Sequence, residues 1–295
     1  MKTNYLKPLL VINSVCLFAG MAGAADAPSL PAPTAPAALP PLASSAWRVK
    51  ISGDYFSFSS KESSYLPRGG GVYDLFSSKR QGDLYGGTVG IKLPSWENSV
   101  LDFSYRHGKM TGTEATSQLK TTVDELALTY RWSPPKFLRW KSSSGDPIGN
   151  LTTAVGFTYD KYDKADTFYS EKANNYQINL GVGYNLKWFQ IGDGIVFRMG
   201  NRLDILGGVG IANTQSSLYD NTFNKFLGTL AGRGTVYSDL VLRNGMTIFA
   251  EGGYQYTRDF YVWKTTFTRT GNTYNTYANE ARYGLFARAG ITFEF

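Results

Sequence analysis

Cysteine is all but missing from this chain: Cys16 is its single thiol in 295 residues, and it lies inside an amino-terminal apolar run. Beyond that run, disulfide staples, thiol catalysis and cysteine-based metal sites are excluded together. Histidine is as scarce, with His107 the only one. The acidic residues are scattered over separate segments, so no cluster has metal-ligand spacing and no cofactor is expected. Long hydrophobic runs are lacking too. After residue 25 no stretch stays apolar for about 18 residues, which argues against a helical membrane protein. Charge of one sign is in mild surplus, 30 Lys and Arg against 23 Asp and Glu, a formal +7. Such a balance suits contact with anionic lipid headgroups and gives no support for a nucleic-acid partner. Gly69-Gly70-Gly71 has no Lys-Ser/Thr behind it and opens no helix, so it is not a phosphate loop.

What the chain does have is 20 Tyr, 18 Phe and 32 Gly among many Ser and Thr, with apolar residues dispersed singly. Dispersed alternation is how a transmembrane barrel keeps a modestly hydrophilic composition. The last segment is the most informative. From Ala281, every second residue (Ala281, Tyr283, Leu285, Ala287, Ala289, Ile291, Phe293, Phe295) is apolar or aromatic, while Arg282, Arg288, Thr292 and Glu294 lie between, with Phe286 the aromatic exception. That is a two-faced β-strand. It resembles the closing strand of Gram-negative outer-membrane β-barrels of the small porin-like or OmpA-type class, within which no individual family is identified. The resemblance implies that Tyr283, Ile291, Phe293 and Phe295 form the signal read by the outer-membrane assembly machinery. It also implies contact with outer-membrane lipid and lipopolysaccharide.

The other end of the chain fits the same address. Lys2 and Lys7 flank the start of an apolar run, Leu9 to Gly20, followed by the small residues Ala22-Gly23-Ala24-Ala25. Residues 1–25 are read as a secretory signal peptide, too short to span a bilayer permanently. Without its two lysines the formal charge falls to about +5. Residues 26–46 are rich in Pro and Ala and favour an extended polyproline spacer of roughly 50 Å in the periplasm. It is either a leader exposing the cleavage site or a tether for a periplasmic partner.

Residues 47–295 repeat one unit, an alternating segment of about ten residues followed by a polar connection. Ten strands are expected near 47–58, 84–93, 99–107, 122–132, 150–160, 175–186, 202–212, 229–242, 246–257 and 280–295, giving an all-β, antiparallel up-and-down transmembrane barrel. Strand one changes character at Tyr55-Phe56, where a bulge or an early end is expected. The tight connections at 94–98 and 243–246 include Asn244-Gly245, the favoured type I′ hairpin pair. Short turns face the periplasm in this architecture. The longer stretches near 59–83, 108–121, 161–174, 213–228 and 258–279 then become surface loops able to meet an extracellular ligand. Two further connections, from Ser133 to beyond Lys141 and from Lys187 to Gly200, set Trp and Phe beside Lys and Arg. They suit an interfacial belt or a small periplasmic docking face.

Parity fixes the lumen. Inward positions carry the cations Arg48, Lys50, Lys92, Arg106, Arg131, Arg202, Arg233, Arg282 and Arg288 and the anions Asp54, Asp102, Glu125, Asp160, Asp204, Asp239, Glu251 and Glu294. Ten strands leave little open room, so a balanced set of charges reads as a self-satisfying network. Arg106, Glu125, Arg233, Glu251, Arg282 and Arg288 are its candidate members. Enzymatic readings find little: omptin surface proteases need acids and a histidine converging at the extracellular rim, barrel lipid hydrolases a His paired with Ser, and His107 is followed by Gly108-Lys109. The expected role is non-enzymatic, structural and surface-interacting. A narrow porin for small solutes or ions is the alternative, and an outer-membrane surface hydrolase the remote one.

Overall fold

The computed structural model describes residues 47–68, 71–93, 99–112, 119–133, 139–141, 147–165, 169–191, 195–216, 221–242, 244–266 and 273–295. The expected signal peptide, the Pro/Ala spacer and the 94–98 turn lie outside them. The elements are β1 Arg48–Arg68, β2 Gly71–Lys92, β3 Ser99–Gly112, β4 Lys120–Trp132, β5 Arg139–Lys141, β6 Pro147–Ala165, β7 Tyr169–Ile191, β8 Ile195–Ser216, β9 Asn221–Val241, β10 Thr247–Thr266 and β11 Thr273–Glu294. All pairings are antiparallel. Each long strand pairs with its chain neighbours, β4 pairs with β6, and β1 pairs with β11, so ten strands close into a barrel. The short β5 lies outside that ring and, among the described residues, pairs only with the start of β6.

Alternation sorts the residues between two opposite environments. On β7, Tyr176, Ile178, Leu180 and Val182 face outward, Ile178 being 62% exposed, while Asn175, Gln177 and Asn179 are buried inside. The same holds around the wall: Ile51, Val89, Phe103, Leu128, Phe157, Ile205, Leu230, Ile248 and Leu285 are exposed, and the residues between them are mostly buried and polar. This is the reverse of a water-soluble sheet protein, whose apolar face is covered.

One edge of the apolar band is marked by tyrosines. Tyr55 lies 5.3 Å from Tyr85, and Tyr159 lies 5.2 Å from Tyr176, measured between ring centres. Their hydroxyls reach toward polar groups: Tyr55 donates to Asp83 at 2.9 Å, Tyr105 to Asp124 at 2.9 Å and Tyr159 to Asn174 at 2.6 Å. An aromatic body on hydrocarbon with its polar tip in a wet layer is the chemistry of an interfacial belt.

The wall continues well past that belt, which corrects the expectation of long loops. β1 runs on from Tyr55 to Arg68, about 40 Å along the strand at ~3.3 Å per residue. Most of 59–83, 108–121, 161–174, 213–228 and 258–279 is therefore strand. The connection expected between Lys187 and Gly200 is likewise strand up to Ile191 and from Ile195, with β7 and β8 shifting register between Lys187 and Phe189. Nor does β1 end or bulge at Tyr55. Alternation continues unbroken with Phe56 and Phe58 turned inward, and the register shift comes later, between Ser64 and Tyr65.

The turn before β10 also differs from the type I′ pair. The Gly245 N–H donates to the Leu242 carbonyl at 3.1 Å and the Leu242 N–H to the Met246 carbonyl at 2.8 Å, with Gly245 at φ +81°. That is a three-residue connection whose last residue is left-handed, a conformation glycine adopts without strain. The Asn244 side chain accepts the Met246 N–H at 3.1 Å and fixes the bend.

The seam between β1 and β11 runs in continuous register from Arg48↔Glu294 to Tyr65↔Tyr277 and is finished by reciprocal backbone bonds between Trp47 and Phe295, 3.1 and 2.9 Å. Tyr283, Ile291 and Phe293 lie on the exposed outer face of β11, and Phe295, one residue past its end, is exposed as well. Ile291 stands between Ile51 and Ile248 in an aliphatic row across three strands.

The lumen as candidate functional site

Inward side chains fall into successive tiers from the end of the barrel that holds Trp47 and Phe295, the terminal end, to the far end. At the terminal end Arg48 meets Glu294 at 2.9 Å, Lys50 meets Glu251 at 3.3 Å and Asp102 at 3.9 Å, and Arg131 contacts Asp102 and, at 3.7 Å, Glu251. Arg288 bridges this level to the next. Its guanidinium donates to both Asp54 oxygens, at 2.7 and 2.8 Å, and approaches Glu251 at 3.4 Å. Asp54 also accepts from Thr88 at 2.8 Å. Arg202 pairs with Asp204 at 2.9 Å. Two glycines make room for this tier: a Cβ on Gly90 or on Gly181 would collide with the Asp102 or the Asp204 carboxylate.

In the middle tier Arg106 donates to Glu125 from two nitrogens and lies over the Phe56 ring. Arg233 donates to Gln255 at 2.9 Å and lies over Phe286 at 5.6 Å. Above it Arg282 grips Asp259 from Nε and a terminal nitrogen, 3.0 and 2.6 Å, and donates to the Tyr162 hydroxyl, which in turn donates to Asp160 at 2.7 Å. The six residues expected to form one network therefore occupy three levels. Arg106–Glu125 and Arg288–Glu251 are direct pairs, whereas Arg233 and Arg282 are held by Gln255 and Asp259.

The most buried tier is one that reading by alternation does not reveal. Arg80, 0% exposed, contacts Glu62 and Glu280 at 2.8 Å each and Thr121 at 2.7 Å. Lys164 meets Glu280 at 2.7 Å, Glu171 at 3.2 Å and Glu62 at 3.3 Å, and Lys225 meets Glu171 at 2.5 Å. Three cations face three carboxylates, and Tyr261 and Trp263 stack beneath the lysines. Between the charged tiers lies an apolar layer of Phe56, Phe58, Leu84, Met110, Val123 and Leu227. Apart from Glu280 the charged tier, like Met110 and Leu227, lies on stretches expected as loops, where the sequence carries polar residues on both faces and loses its period of two.

Two features stand apart. His107, the sole histidine, is on the outer wall beyond the tyrosine belt. Its Nδ1 is 2.8 Å from Asp124, and among the described residues no hydroxyl is bonded to its other ring nitrogen. At the terminal end of the lumen a cavity of about 240 Å³ opens among Arg48, Lys50, Lys92, Arg131, Arg198 and Arg202, with Asp239 and Glu251 as its acids.

Neither a protein-family model nor a curated protein sequence matches this chain. In fold it is similar to the outer membrane protease OmpT of Escherichia coli, with a TM-score of 0.54 over 85% of this chain and 97% of that one, at 10% identity. Looser likenesses are to the translocator domain of the autotransporter NalP of Neisseria meningitidis, at TM-score 0.36 and 11% identity over 98% and 96% of the two chains. OprG of Pseudomonas aeruginosa follows at TM-score 0.35 and 8% identity over 85% and 97%. The first establishes a shared outer-membrane barrel fold; the scores of the other two are too low to add to it.

Proposed function

We propose that this protein is an integral, non-enzymatic barrel of the bacterial outer membrane, closed to solutes, whose rigid far end projects from the cell as a contact surface. The apolar outer wall supports membrane insertion, since a lipid-exposed sheet must close on itself to satisfy its backbone. The terminal end then faces the periplasm, and the outer wall meets lipid and lipopolysaccharide. The single observation that carries the closed reading is the stack of charged and apolar tiers at Arg80, Met110, Leu227 and Asp259, each fully buried. An ion crossing it would have to break satisfied pairs inside a packed lumen, which costs several kcal/mol.

The OmpT likeness brings a protease reading with it. His107 and its partner Asp124 lie on the outer wall and not in the lumen or its far mouth, an arrangement that lends it no support. Planar-bilayer recording of the purified barrel is expected to show no steady unitary conductance. A stable, ion-selective conductance would replace the closed reading with the narrow porin.

Assembly is the second testable part. Phe293 and Phe295 lie on the outer face with their rings 6.4 Å apart. Replacing both by Ser is expected to reduce the amount of inserted, heat-modifiable protein severalfold. Wild-type levels of insertion would remove these residues from the assembly signal.

A further inference from the structure

The cavity at the terminal end has a wall chemistry unlike the rest of the lumen. Six cationic side chains and two acidic ones line it, whereas the Arg80 tier higher up is balanced. Part of that surplus is answered from behind: Asp102 holds Lys50 and Arg131, Asp204 holds Arg202, and Glu294 holds Arg48. Arg198 is different. It makes no ion pair among the described residues, although Asp239 is its cross-strand neighbour, and its Nε is buried with no protein partner, as is that of Arg131. A buried guanidinium nitrogen without an acceptor is costly, and an anion entering the cavity would satisfy it.

The remaining wall suits a compact ligand. Trp132 and Phe249 supply flat apolar sides, and Asn185, Thr152, Thr247 and Thr292 supply neutral polar groups. The Tyr237 hydroxyl is already committed to the Tyr184 carbonyl and Asn185, so that side is fixed in place. A volume of about 240 Å³ corresponds to roughly eight waters, enough for a phosphate group or a small di- or tricarboxylate and too little for an oligosaccharide. Arg48, Lys92 and Thr292 on its wall lie near the terminal ends of β1, β2 and β11, which puts the cavity within reach of a ligand from the terminal side.

We propose that this cavity is a binding site for a small multivalent oxyanion, with Arg198 and Arg131 as its principal donors and Asp239 as the group that limits its affinity. Two sources share that chemistry, free phosphate and small polycarboxylates, and titration separates them.

The test is calorimetric titration of the full-length barrel in a neutral detergent at low ionic strength, with inorganic phosphate, citrate and acetate in separate runs. Saturable binding of phosphate or citrate, with acetate at least tenfold weaker, is expected. Arg198→Gln should weaken it about tenfold, the loss of one charge-assisted donor, and Asp239→Asn should tighten it. Heat-modifiable migration shows whether each variant still folds. No saturable binding of either multivalent anion to the wild type overturns the proposal. So does binding that neither substitution changes, since that places the anion elsewhere on the barrel. Preference for phosphate over citrate, or the reverse, names the source. The outcome is independent of conductance, so a conducting barrel with a working site and a closed barrel without one are distinguishable results.

Discussion

Leu180→Arg is expected to abolish stable insertion. Leu180 sits in the middle of the apolar band on β7, with Ile178 and Val182 beside it on the same exposed face. A guanidinium there must lie in hydrocarbon, at a cost of roughly 2–4 kcal/mol at mid-depth and about 0–1 kcal/mol near the interface. Asn174→Arg supplies the matched control, because Asn174 points the same way from the same strand but accepts the Tyr159 hydroxyl at the tyrosine belt. Folding into vesicles across a denaturant series would give the two values. Equal values for Leu180→Arg and Asn174→Arg would mean that the exposed apolar wall is covered by something other than lipid.

Arg80→Ala is expected to be the most destabilising single truncation in the lumen. It removes the partner of Glu62 and Glu280 at once, and both carboxylates are buried. Breaking a buried ion pair by removing one member costs about 3–5 kcal/mol, while exchanging the whole group for apolar residues of similar size is often neutral. Arg80→Met combined with Glu62→Gln and Glu280→Gln should therefore recover much of the loss, although Lys164, which contacts both carboxylates, keeps the recovery partial. Unfolding midpoints in urea compare the variants. A cost under about 1 kcal/mol for Arg80→Ala would show that water reaches this tier and that the lumen is not sealed there.

The strands that cross the apolar band were legible in the sequence for a simple reason. Between Tyr176 and Leu186 one face meets hydrocarbon and the other a charged interior, so hydrophobicity alternates with full contrast. Beyond the belt the contrast collapses. On β1 the outward Ser57, Ser59 and Lys61 are as polar as the inward Ser60 and Glu62, and a strand with two polar faces reads as a loop. For that reason Glu62, Arg80, Lys164, Glu171 and Lys225 escaped while Arg106, Glu125, Glu251 and Arg288 did not; Glu280, at the first position of the last expected strand, stands one residue before its alternation begins at Ala281. Phe56 and Phe58 misled in the opposite sense. Their rings belong to the inner apolar layer, and aromatic residues on the inner side look like a phase change when every earlier one faces out. The isolated charge of Arg198 had no sequence signal, since whether a cross-strand acid actually reaches its partner is decided by side-chain geometry.

Closure of this wall has a kinetic consequence. Every strand pairing but one joins elements that follow one another closely along the chain, so hairpins can form as soon as both their strands are present. The exception is the ladder from Arg48↔Glu294 to Tyr65↔Tyr277, whose first pair joins residues 246 positions apart. Long-range pairing of this kind carries the largest loop-closure cost and limits the rate. Until β11 arrives, the nascent sheet has two unsatisfied edges, at β1 and β10, each as long as a finished strand and open to pairing with another copy. The slow event in maturation is then zipping of one seam. Its rate should respond to substitutions along β1 and β11 far more than to any in the hairpins between them.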